Sequence, residues 1–232
     1  MSHLELLALV STSYLLSLWG LERWRRFRRR VSSVTRRELT RPHVRRALAP
    51  LGAQAETVIA ALERFDLPAG RAAAKALEGL TPQQEGLLSA AVGLCDAFSQ
   101  GSDLARYRAA SEALVGARRA RQLGPTAAYL ESLALLGFLS DSLTEDLRLW
   151  QTGRRLSQAT LLSPDEPLLQ LAAALRSAIA GQPSDCVAAL ARALYHARAD
   201  AFVIDCISSV PLVEELSPGL ADEARRSKGL PP

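Results

Sequence analysis

"GQPSDCVAALARALYHARAD", residues 181–200, is the stretch that decides how this chain folds. A glycine and a proline open it, and Cys186, Val187, Leu190, Ala193 and Leu194 then recur at three- and four-residue spacings. That period gathers them on one face of an α-helix. Within the face, Cys186, Leu190 and Ala193 read small, large, small at i, i+4 and i+7, which lets a neighbouring helix approach closely. Thirty-four positions earlier Thr152, Leu156 and Ala159 make the same pattern, and "SPDEPL" (163–168) falls on "ARADAF" (197–202) at the same spacing.

The rest of the chain is written in the same alphabet. Apolar residues make up 48% but aromatics only 5%, and alanine and leucine, the best helix formers, dominate. Alternating runs of Val, Ile and Thr are nearly absent, which excludes an extensive sheet. The periodicity predicts helices over 54–65, 68–79, 82–99, 103–122, 126–140, 143–162, 164–180, 183–198 and 200–209, with a weaker one after Pro218. Capping boxes are expected at Thr81–Gln84, Ser142–Glu145 and Ser163–Glu166, the first and third with proline at the first helical position. Gly124-Pro125 and Gly181 read as helix stops. Residues 35–53, with Pro42, Pro50 and Gly52, read as a partly helical connector. The expected fold class is all-α.

A period of thirty-four residues is that of tetratricopeptide repeats. Residues 181–200 resemble the second half of such a repeat, with Cys186, Leu190 and Ala193 on the packing positions, Thr152, Leu156 and Ala159 on the equivalent positions of the preceding one, and "SPDEP" as the inter-repeat linker. The resemblance covers residues 126–210; residues 54–122 show no thirty-four spacing, and a generic α-solenoid or bundle is the alternative. It implies antiparallel helix pairs stacked into a solenoid with an extended surface for protein partners.

The amino-terminal fifth has a different character. "LELLALVSTSYLLSLWGL", Leu4 to Leu21, carries a single charge, Glu5. As a helix it would run about 27 Å, close to the thickness of a bilayer core. Leu6, Leu9, Leu15, Leu16, Leu18 and Trp19 are the expected anchor residues. Arg23, Arg25, Arg26, Arg28, Arg29 and Arg30 follow at once, interleaved with Trp24 and Phe27. A signal peptide has the opposite order, charge before the apolar run, and the positive-inside rule keeps the arginine side in the cytoplasm. The expectation is one span over 1–22 with its amino end outside, a basic amphipathic segment and connector over 23–53 touching lipid headgroups, and a cytoplasmic helical domain over 54–232. A helix lying in the membrane plane, or one buried in the body, are the alternatives for Leu4–Leu21. The layout is similar to that of an anchored lipopolysaccharide-assembly family that ends in a Cys-x-x-Cys metal module; this chain has no Cys-x-x-Cys, and no function is implied.

Charge is just as unevenly placed. Residues 1–50 hold eleven arginines against three acids, whereas the remainder holds 17 basic and 21 acidic groups. The high isoelectric point therefore belongs to one end, and nucleic-acid binding is not expected of a mildly acidic body without a recognisable module. The usage of 26 Arg against 2 Lys points to a GC-rich bacterial genome, hence to the inner membrane.

Little in the sequence carries chemistry. Cys95, Cys186 and Cys206 are odd in number and far apart, so they form neither a disulfide framework nor a zinc knuckle. His196, Asp200, Asp205 and Cys206 lie close in sequence, but His196 also suits a helix end and Asp200 an N-cap. Arg118, Arg119 and Arg121 end a predicted helix, where cations are favourable. No phosphate loop or helical metal-ligand spacing is present. The sequence thus predicts a non-enzymatic scaffold or adaptor that recruits protein partners to the membrane, with no cofactor, metal or small-molecule ligand. A permanent subunit or assembly factor of a membrane complex is the alternative.

Overall fold

A computed structural model describes residues 36–139, 144–197 and 200–229, and every regular element in them is helical. The elements are α1 (Arg36–Thr40), α2 (Val44–Ala47), a 3-10 stretch (Ala49–Ala55), α3 (Glu56–Glu63), α4 (Leu67–Lys75), α5 (Pro82–Ser99) and α6 (Asp103–Arg119). They continue with a 3-10 turn (Arg121–Leu123), α7 (Pro125–Ser132), a π-helical stretch (Leu133–Phe138), α8 (Glu145–Leu162), α9 (Pro167–Ile179) and α10 (Pro183–His196). α11 (Ala201–Ser208), α12 (Pro211–Leu216) and α13 (Pro218–Ser227) close the chain. No helix among the described residues is long and apolar enough to cross a membrane. The expected span and basic flank, residues 1–30, lie outside the described residues.

α7 and its π-helical continuation form the centre. Ala127, Ala128, Leu130, Leu133, Ala134 and Leu136 are all completely buried, because α1, α2, α5, α6, α8 and α9 surround them. The π-helical turn comes where α1 crosses: a Cβ on Gly137 would stand 2.7 Å from Thr40 Cγ2. α5 and α6 make a hairpin closed by small residues on both sides, Gly86, Ala90, Gly93 and Ala97 against Ala109, Ala113, Gly116 and Ala120, each series spaced four, three and four. Built Cβ atoms on Gly86 and Gly116 would each approach the other's carbonyl oxygen, to 2.7 and 2.6 Å, so the two backbones nearly touch. α9 and α10 form a second antiparallel pair, with α9 against α8; α11 and α12 pack on α10, and α13 packs on α11 and α12.

Local rules explain most of the boundaries. Six described helices start at proline, where the missing amide hydrogen costs nothing. The Thr81–Gln84 capping box forms: Gln84 N donates to Thr81 Oγ1 at 3.3 Å and Thr81 N to Gln84 Oε1 at 3.0 Å. The box expected at Ser163 does not form. Glu166 lies before Pro167 and is therefore extended, with ψ 112°, so α9 begins three residues later and Glu166 Oε1 caps it by accepting from Leu168 N. Ser142 lies outside the described residues. α3 ends in a Schellman turn, Asp66 N donating to Ala61 O and Phe65 N to Leu62 O. Phe65 takes the left-handed position (φ 56°) that usually holds glycine, and its ring stacks on Phe98 at 5.6 Å.

The connector has a larger role than its prolines suggested. Leu39, Val44, Ala47, Leu48 and Leu51 are at most 5% exposed and belong to the same core as the rest of the body. Pro42, Pro50 and Gly52 do break the helix, but they break it into short turns that keep the apolar side chains facing inward. The packing shows no boundary at residue 53.

Candidate functional site: an arginine-lined groove

α8 has two apolar faces where an amphipathic helix needs one. Its inner face carries Leu149, Thr152, Leu156 and Ala159, all buried. Its outer face carries Leu147, Trp150 and Leu161 at helical spacing, exposed by 52%, 60% and 85%. Arg154 lies between them, with its guanidinium 5.9 Å from the Trp150 ring. Only the carboxyl end of this face, at Leu161, reaches a groove of about 860 Å³, whose α8 wall is otherwise made by Gly153, Leu156, Ser157 and Thr160. α9 provides the floor with Gln170, Ala173, Arg176 and Ser177, and α10 contributes Arg192.

Both groove arginines are held in place by one bond each. Arg176 Nε donates to Leu149 O at 3.1 Å, and its guanidinium lies over Gly153, where a Cβ would come within 2.8 Å. Arg192 Nε donates to Gln170 Oε1 at 2.9 Å. Among the described residues no carboxylate lies within 4.0 Å of Arg154, Arg176 or Arg192. The terminal guanidinium nitrogens are thus free of acidic partners in a body that carries more acids than bases.

The residues expected at repeat packing positions are all buried: Thr152, Leu156 and Ala159 inside α8, and Cys186, Leu190 and Ala193 inside α10. Thr152 Oγ1 has no hydrogen-bond partner there. Thr152→Val should therefore raise stability by about 1 kcal/mol, read as a higher urea midpoint, because it removes an unsatisfied hydroxyl at nearly constant volume.

The sequence neighbours His196, Asp200, Asp205 and Cys206 separate into different partnerships. His196 Nε2 stands 3.6 Å from Asp165, Asp205 pairs with Lys228, and Asp200 Oδ2 accepts from His43 Nε2 at 2.7 Å. Asp200 also caps α11 by accepting from Phe202 N and Val203 N, and Arg46 reaches Glu166 at 2.8 Å and Asp200 at 3.7 Å. His43 stacks on Phe202 at 4.3 Å, and its backbone N donates to Tyr129 OH at 3.0 Å. These contacts clasp residues 41–46 onto α10–α11 beside a cleft that includes Arg45, Glu63 and His196. Burial raises the Asp200 carboxyl, but the His43 hydrogen bond and charge, with the two amides, outweigh it and hold it below its ordinary 3.8. A depressed folded pKa gives stability that is present above the unfolded value and lost as pH falls through the folded one. Asp200→Asn should be less stable than the parent at neutral pH, and the gap in unfolding free energy should close as the pH drops below 3.8.

Burial pushes the thiols of Cys95, Cys186 and Cys206 up to about 12, so they stay protonated. None should react with a thiol reagent at pH 8 until the protein is unfolded. Among the described residues no three His, Cys, Asp or Glu side chains converge as metal ligands.

Arg118 and Arg121 meet around Glu131, whose side chain is only 5% exposed; Arg119 is exposed. Arg121 Nη2 and Arg118 Nε donate to Oε1 at 2.9 and 3.3 Å, while Arg155 Nε approaches Oε2 to 3.5 Å. Arg118 and Arg121 thus converge with Arg155 on one buried acid.

Leu147, Trp150, Arg154, Leu161, Arg176 and Arg192 were not singled out by sequence reasoning. A helical wheel of α8, with its second apolar stripe, holds the signal for the first four; the other two need the packing of α9 and α10. No family model matches the chain, nor does any curated protein or solved structure.

Proposed function

We propose that this protein is a membrane-anchored adaptor whose helical body holds partner proteins in the groove along α8. The observation that carries the reading is the exposed second face of α8, Leu147, Trp150 and Leu161, which runs into the groove at Leu161, where Arg176 and Arg192 have no carboxylate within 4.0 Å among the described residues. A large exposed aromatic between leucines, next to a concave surface, is the composition of a protein-binding site. The thirty-four-residue period supports a tetratricopeptide-like stack over α8–α10, since all six positions that define it are buried and α9–α10 form a close antiparallel pair. The anchor rests on Leu4–Leu21 and the arginines after it, which put the amino end outside and the body in the cytoplasm. No catalytic role is assigned.

Two measurements test this. Full-length protein should fractionate with inner membranes and resist carbonate, and a version lacking residues 1–22 should not; full-length protein free in the soluble fraction overturns the anchor. A photo-crosslinking amino acid at Ser157, in the groove, should join the body to another protein in cells, and its failure to do so overturns the adaptor. After detergent extraction a monomer fits the adaptor, whereas obligate co-purification fits a permanent subunit of a membrane complex.

A further inference from the structure

We infer that the outer face of α8 docks an acidic protein surface, an apolar patch seated on Leu147, Trp150 and Leu161 and bordered by carboxylates that meet arginines on both flanks. This rests on the adaptor reading and adds the charge of what the adaptor holds. On a helical wheel Gly153 and Arg155 stand roughly 100° to either side of the stripe through Leu147, Trp150, Arg154 and Leu161. The contacts agree. Gly153 lies under the Arg176 guanidinium on the α9 side, and Arg155 approaches Glu131 of α7 on the other. Arg155 Nη2 also donates to Arg121 O at 3.3 Å, which continues that second flank to the Arg118–Arg121 pair. The stripe therefore runs between two sets of arginines, Arg176 and Arg192 across the groove and Arg118, Arg121 and Arg155 on the side of α7.

The charge on this side of the molecule does not balance. Among the described residues these five arginines and Arg154 have one carboxylate within 4.0 Å, that of Glu131, and its side chain is only 5% exposed. α8 has its acids, Glu145 and Asp146, in the first turn and none from Leu147 to Leu162. The rest of the body carries more acids than bases, so the surplus of positive charge is local. Hydrogen bonds already fix the direction of five of the six side chains, while Arg118 and Arg121 stay about half exposed. Guanidiniums held around an exposed tryptophan suit carboxylates that are themselves fixed on a folded surface. A second copy of this face would set arginine against arginine, and so would the chain's own residues 23–30. A lipid surface suits the charge but not the stripe. Gln151, Arg154 and Gln158 lie on the same face between Trp150 and Leu161, so no continuous apolar strip could enter the acyl region.

The test places a photo-crosslinking amino acid at Gln158, exposed on this face, in the full chain in cells, and sequences the peptide that it joins. That peptide should come from another protein, and Asp and Glu should outnumber Lys and Arg around the joined residue. Arg154→Glu with Arg192→Glu reverses two exposed charges outside the Glu131 network and should lower the yield at least about tenfold. Arg154→Lys with Arg192→Lys should keep most of the yield, with thermal melting unchanged in both variants. An adduct with lipid alone, a neutral or basic joined peptide, or a yield that charge reversal leaves unchanged overturns the inference. If one of these occurs while Ser157 still joins a protein, the acidic surface is wrong and the adaptor stands; if neither position joins a protein, both fall.

Discussion

Gly116→Leu is expected to lower the stability of the body by at least about 3 kcal/mol, the upper range for overpacking a close interface. A Cβ at this position already stands 2.6 Å from the carbonyl oxygen of Gly86 and 2.9 Å from the amide nitrogen of Ala90. Both are backbone atoms of α5, so no side chain can turn aside, and the two helices must part along the whole seam. Parting them also opens gaps at Gly93, which lies against Ala109 and Ala113, where alanines are too short to follow. Gly101, between the same two helices, has nothing within 4 Å of a built Cβ, and alanine there should be tolerated. Urea unfolding of the two variants against the parent reads the contrast directly.

Glu131→Ala is expected to cost about 3 kcal/mol, the lower end for breaking a buried charge network, since Arg118 and Arg121 are about half exposed and can turn to water. The loss arises less from the deleted carboxylate than from what it leaves behind. Three guanidiniums from α6, the 3-10 turn and α8 would converge on an alanine, with Arg155 only 22% exposed. Glu131→Gln keeps one acceptor and the volume, and should cost about half as much. High salt should soften the alanine variant's penalty, because the residual repulsion is between partly exposed charges. Thermal or urea unfolding at two salt concentrations separates this from a simple cavity, which salt does not affect.

What was legible in the sequence was what neighbouring residues decide. The start of α5 could be read from Thr81, Pro82 and Gln84 alone, and its end from the loss of period at Ser99. The same reasoning failed at Ser163 because Pro167, four residues beyond the expected cap, set the conformation of Glu166. α12 was missed, since six residues carry too little periodicity to stand out. The seam between α5 and α6 was present as matching runs of glycine and alanine, a signal that pattern reading passed over in favour of larger side chains. The clasp was out of reach for a different reason: His43 and Asp200 are separated by 157 residues, and only the closed core makes them neighbours. The groove is intermediate: Leu161 belongs to the second stripe of α8, which a helical wheel shows, and the arginines opposite it are set by how α9 and α10 pack.

The clasp also determines how load would travel through the molecule. Traction on the chain at Arg36 meets no slack, because Leu39 is already in the core and residues 41–46 are fastened through Tyr129, Asp200 and Glu166. Strain applied at the amino end is therefore delivered in shear to contacts on α7, on the cap of α9 and on the cap of α11. Tension entering at the amino end would be borne by several bonds in parallel instead of peeling the first helix away.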